Sequence, residues 1–108
     1  MVFVSLDDFF EKVGSCKALT RREEIECVKQ MKNGDAAARE KLIQSYMPML
    51  AGYIKHAKPD IRSFGLVLYC QQALETAVDS FDFLQDSETF THRLGLHLKQ
   101  AVVKYRVR

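Results

Sequence analysis

From Ser5 to the end of the chain, apolar residues recur every three or four positions, and most of these runs open on a residue that caps helices. That rhythm makes helix the default for all 108 residues. Ser5-Leu6-Asp7-Asp8 sets a hydroxyl three residues before a carboxylate, and Phe3, Leu6, Phe9, Phe10 and Val13 keep helical spacing until Gly14. Thr20-Arg21-Arg22-Glu23 is a second capping box, opening a helix with Ile25, Val28 and Met31 on its apolar side. Asn33-Gly34 closes it, because glycine accepts the left-handed conformation that ends helices.

Asp35 is the next cap, and Leu42, Ile43, Tyr46, Met49, Leu50, Tyr53 and Ile54 make the buried face behind it. Pro48 lacks the helical N–H donor, so it either kinks this run or opens a second helix. Lys58-Pro59-Asp60 is a break. Leu66 to Phe81 reads as a further helix with Leu66, Leu68, Cys70, Ala73, Leu74, Ala77, Val78 and Phe81 as core. After a loop from Asp82 to Ser87, with Asp86 and Ser87 as candidate caps, the last helix buries Phe90, Leu94, Leu98, Ala101, Val102 and Tyr105. The expected fold is all-α, a compact bundle of five to six helices. It forms a single domain over 1–108, with an extra N-terminal helix in 1–18 and the main helical domain in 19–108.

Apolar residues at 47% and charged ones at 28% exclude a disordered chain. The net charge of +2 says little, but its distribution is uneven. Between Pro59 and Glu88, Arg62 stands against Asp60, Glu75, Asp79, Asp82, Asp86 and Glu88; from Thr89 onward Arg93, Lys99, Lys104, Arg106 and Arg108 meet no acid. One end is therefore cationic. Cys16, Cys27 and Cys70 are odd in number and lack a C-x-x-C spacing, which points to a reducing compartment rather than a disulfide framework. The opening Met1-Val2-Phe3-Val4 runs into Asp7-Asp8 without a basic segment, unlike a signal peptide, and no apolar run approaches the ~20 residues that cross a bilayer. The expected location is the cytoplasm.

Several stretches resemble region 2 of the bacterial sigma-70 family of RNA polymerase subunits. Leu19-Thr20-Arg21-Arg22-Glu23-Glu24-Ile25, Met31-Lys32-Asn33-Gly34-Asp35, Ala38-Arg39-Glu40-Lys41-Leu42-Ile43 and Tyr46-Met47-Pro48 look like its opening. Ala77-Val78-Asp79-Ser80-Phe81-Asp82 resembles its A-V-x-x-F-D. Phe90-Thr91 followed by Leu98-Lys99-Gln100-Ala101-Val102 resembles its F-S-T-x-x-x-W-W-I-R-Q-A-I. The likeness runs from residue 19 to about 106. It implies a helix that docks on the coiled coil of the polymerase clamp and a last helix laid against the promoter −10 element. It also implies a stand-alone region 2 without the later domains that read the −35 element. Where the family carries paired tryptophans this chain has Leu96 and His97, and where it carries a base-stacking tyrosine this chain has Arg93. The clamp-docking D-L-I-Q-E-G-N is Gly65-Leu66-Val67-Leu68-Tyr69-Cys70-Gln71.

On the last helix Arg93, His97, Gln100, Lys104 and Arg108 follow steps of four, three, four and four, so they share a stripe expected to face away from the core, with Lys99 and Arg106 beside it. Such a stripe suits a phosphate backbone; Gln100 suits a base edge and His97 an unpaired base. A solvated, dipole-favoured basic helix end is the plainer alternative. Leu68, Tyr69, Gln71, Gln72 and Glu75 form the expected polymerase- or partner-binding surface, and Leu68 and Leu96 are apolar where something should cover them.

No metal, cofactor or catalytic constellation is expected. His92 and His97 are five apart, His56 stands among lysines, and no cysteine has an identifiable catalytic histidine. Asp7, Asp8, Glu23 and Glu24 sit at helix starts, and Met47 and Met49 read as core. The expected function is a non-enzymatic, sigma-like transcription initiation protein. Its partners would be core RNA polymerase, DNA, and a second protein supplying −35 recognition. The alternative is a protein-interaction module on the same fold: a clamp decoy, a regulator of a true sigma factor, or a homo-oligomer. Phe3–Val13 would either cap the bundle or form an inhibitory arm over the basic helix.

Overall fold

A computed structural model describes residues 2–83 and 89–107. It holds six helices among them: α1 (Leu6–Val13), α2 (Arg21–Lys32), α3 (Ala36–Ser45), α4 (Met47–Lys55), α5 (Phe64–Ser80) and α6 (Phe90–Val107). Their starts follow local chemistry. Ser5 Oγ accepts the Asp8 N–H at 3.1 Å while Asp8 accepts the Val4 N–H at 2.9 Å. Thr20 and Glu23 exchange the two bonds of a capping box, at 3.2 and 3.0 Å. Asp35 Oδ1 accepts from Ala37 and Ala38. Gly34, with φ of 90°, ends the α2 region in the left-handed conformation. Gly14 ends α1 without it, at φ −58°.

Pro48 opens a new helix: α3 stops at Ser45, and the proline sits in the first turn of α4, where its missing N–H costs nothing. The fifth helix starts at Phe64, two residues before the expected Leu66, because Ser63 caps it by accepting the Leu66 N–H at 3.3 Å. At α6 the capping role falls to Thr89, whose Oγ1 accepts the His92 N–H at 3.2 Å. The expected caps Asp86 and Ser87 lie outside the described residues.

α5 is the hub, packing along α6 and touching α1, α3 and α4; α2 pairs with α3 as a hairpin. Phe9, Val28, Leu42, Leu50, Ile54, Leu66, Val67, Leu74, Leu94 and Leu98 are fully enclosed in one continuous core. Phe3, Phe9 and Val13 place the N-terminal segment inside that core, against α4 and α5, and α1 does not touch α6 among the described residues. The arrangement is the cap, not the arm. Leu68, expected in the core, is 52% exposed, and Val67 takes the buried position instead. A helical turn that points Leu66, Val67 and Cys70 inward leaves Leu68 on the outer face.

Polar and aromatic residues of separate segments of the chain pair with one another. Arg39 makes two 2.8 Å bonds to Asp79, tying α3 to α5. Lys32 approaches Asp82 at 3.7 Å, and the Tyr46 hydroxyl donates to Glu24 at 2.8 Å. Burial and the Glu24 carboxylate push the Tyr46 phenol well above its ordinary range. Phe90 meets Tyr46, Phe83 and Phe81 at ring-centroid distances of 4.7, 4.7 and 5.3 Å, so the start of α6 closes on the end of α5.

Candidate nucleic-acid and partner interface

The candidate surface is built on α6, and the helical turn decides which side chains share it. Phe90, Leu94, Leu98, Ala101 and Tyr105 point into the core. Leu96, Val103 and Val107 stand opposite, exposed to 45%, 58% and 74%. At 3.6 residues per turn the polar residues fall on the two flanks between those faces.

On one flank His97, Gln100 and Lys104 face Tyr69, Gln72, Ala73 and Thr76 of α5 across a groove of about 240 Å³. Tyr69 is steadied by Tyr105, whose ring centre lies 5.7 Å away. On the other flank Lys99 and Arg106 turn toward α4, where they border a second groove with Met49, Tyr53, His56 and Lys58. The expected stripe facing away from the core is thus corrected. Arg93, His97, Gln100 and Lys104 lie on the α5 side, His97 half-buried and Gln100 and Lys104 exposed, and the outermost position belongs to the apolar residues. Arg93 heads that side, half-buried, with its guanidinium 5.7 Å from the Phe81 ring centre. Arg108 lies outside the described residues.

The five α5 candidates also separate. Tyr69 and Gln72 line the first groove, and Leu68 is on the outer face. Gln71 and Glu75 are half-buried. Glu75 belongs to the α3 side, where with Asp79 it holds the Arg39 guanidinium in its charged form. Gly65 has a packing reason: a Cβ there would stand 2.6 Å from the Tyr105 hydroxyl oxygen.

Comparison with protein-family models, curated proteins and solved structures returned no match to this chain. Among the described residues no three His, Cys, Asp or Glu side chains cluster as a metal site, and no helix is long and apolar enough to cross a membrane.

Sequence reasoning missed Ala73 and Thr76 in the first groove, and Tyr53, His56 and Lys58 in the second. A usable signal was present for the second group. Tyr53-Ile54-Lys55-His56-Ala57-Lys58 interleaves an aromatic ring with basic side chains and contains no acid.

Proposed function

We propose that this protein is a non-catalytic, sigma-like transcription protein that docks on RNA polymerase core through α5 and on DNA through α6. The observation that carries this reading is the α5/α6 groove. Tyr69 and Gln72 from the expected partner surface and His97, Gln100 and Lys104 from the expected DNA surface line it together. A protein on α5 and a polyanion on α6 would therefore meet along one seam. On the same flank the described part of α6 adds Arg93, and no acidic residue occurs from Thr89 onward, which suits phosphate neutralisation. Arg39 pairs with Asp79 and Phe81 with Phe90, so the separate stretches on which the likeness rests pack against one another.

The test is binding to a fluorescent −10-type DNA, duplex and pre-melted, across a salt series with and without core polymerase. Polymerase-dependent binding that prefers the melted strand is the expected result. Absence of binding in every arm would overturn the proposal.

A second reading has its own observation. Leu68, Leu96, Val103 and Val107 are exposed apolar side chains, and a protein surface that covers them would make this an interaction module. Retention of a clamp coiled-coil fragment or self-association, with no DNA bound, would favour it.

A further inference from the structure

The groove between α4 and α6 enters the reading above only through Lys99 and Arg106. We propose that it is a binding site for a small amphiphilic acid, a ligand with an apolar aliphatic or aromatic body and an anionic head. This inference does not rest on polymerase or DNA binding.

Three features converge. The groove measures about 570 Å³, within the usual range of roughly 300–1,000 Å³ for small-molecule sites. Its floor is apolar: Met49, Tyr53, Ala57 and Val102 line it, with Gly52 among them. A Cβ built at Gly52 meets nothing within 4 Å, so the cleft is open at that point rather than filled from the opposite wall. The third feature is the rim. Lys58, Lys99 and Arg106 border the cleft with His56; among the described residues no carboxylate lines it, and none of those three cations has an acidic partner within 4.0 Å.

The walls are held in place. Gly95 brings the α6 backbone against Tyr53, since a Cβ there would lie 3.1 Å from the Tyr53 hydroxyl oxygen. Arg62 donates to the Lys55 and Ala57 carbonyls at 2.8 and 3.0 Å, closing the turn that carries His56 and Lys58. An apolar body in the cleft would remove its floor from water while the head stays at the wet rim beside the cations. A bare phosphate backbone would use the cations and leave the floor exposed, so the pairing of the two features selects an amphiphile.

The experiment is a fluorescence titration with 1-anilinonaphthalene-8-sulfonate, alongside N-phenyl-1-naphthylamine, which has the same body without the charge. The proteins are the wild type, K99A/R106A, G52L and a distant control, K17A/K29A, each first shown by circular dichroism to keep wild-type helicity. The sulfonate should bind at one site, displaceable by dodecanoate. K99A/R106A should weaken it about tenfold and leave the neutral dye unchanged. G52L, which fills open space and loses a helix-interior glycine, should abolish binding of both dyes. Sulfonate binding that survives G52L, or that falls equally in K17A/K29A, would overturn the proposal.

Discussion

The Tyr105 hydroxyl lies 2.7 Å from Ser63 Oγ, so the last turns of α6 are fastened to the residue that caps α5. Gly65 leaves the room for this contact, since a Cβ there would sit 2.6 Å from the same hydroxyl. The relationship makes a double-mutant prediction. Tyr105→Phe should cost about 1 kcal/mol by urea unfolding, the usual net worth of a hydrogen bond. Gly65→Ala should destabilise the wild type by about 1 kcal/mol, because crowding of a buried ring outweighs the gain in helix propensity. In the Tyr105→Phe background, where the nearest remaining ring atoms stand 3.4 Å away, it should be neutral or stabilising. Equal effects in both backgrounds would mean that the hydroxyl does not space the two helices.

The Arg39–Asp79 fork predicts an acid dependence. Its two hydrogen bonds, then the Arg39 charge, hold the Asp79 carboxyl below its ordinary value of 3.8. A depressed native value adds stability that is complete above the ordinary value and lost as pH falls through the native one. Asp79 remains 55% exposed, so the pair should contribute no more than about 1 kcal/mol. Asp79→Asn should be less stable than wild type at neutral pH by that order. Urea midpoints should converge as pH falls progressively below 3.8 and the wild-type carboxyl protonates. A gap that persists there would assign the loss to packing.

The thiols should react in order of exposure. Cys27 and Cys70 are buried and Cys16 is half-buried. Disulfide exchange with an aromatic disulfide should therefore show a fast phase, removed by Cys16→Ser, while the other two react only through unfolding. Burial pushes the Cys70 thiol up to about 11 from an ordinary 9.0. A raised native value means the unfolded chain loses its proton first, so stability should fall as pH climbs from 9 toward 11. Cys70→Ala should flatten that decline, and an unchanged alkaline slope would assign it to other groups.

What could be read in advance follows the range of the physics. The caps at Ser5, Thr20 and Asp35 and the restart at Pro48 are settled within about four residues; the three caps accept the helix N–H groups that the pattern implies, and the proline opens α4 with no side-chain cap. In α5 the run Leu66-Val67-Leu68 is apolar at every position, so periodicity alone does not say that Val67 is inside and Leu68 outside. That depends on where α1, α3, α4 and α6 pack around it. The same holds for α6. Spacing shows that Lys99 and Lys104 leave the core, but only the neighbours show that one turns toward α4 and the other toward α5.

That split carries the last prediction. If a polyanion runs along the α5/α6 seam, Arg93 and Lys104 neutralise its phosphates while Lys99 and Arg106 stand on the far flank. Each phosphate that is no longer neutralised should reduce the slope of log K against log salt by about 0.9 for duplex DNA. Replacing Arg93 and Lys104 together with Ala should therefore lower the slope by between one and two, and weaken binding uniformly across sequences. The K99A/R106A pair removes the same formal charge, so any general loss of positive potential would appear in both variants. Only the geometry separates them: a slope lowered mainly by the first pair puts the nucleic acid against α5, and one lowered mainly by the second would move it to the α4 flank.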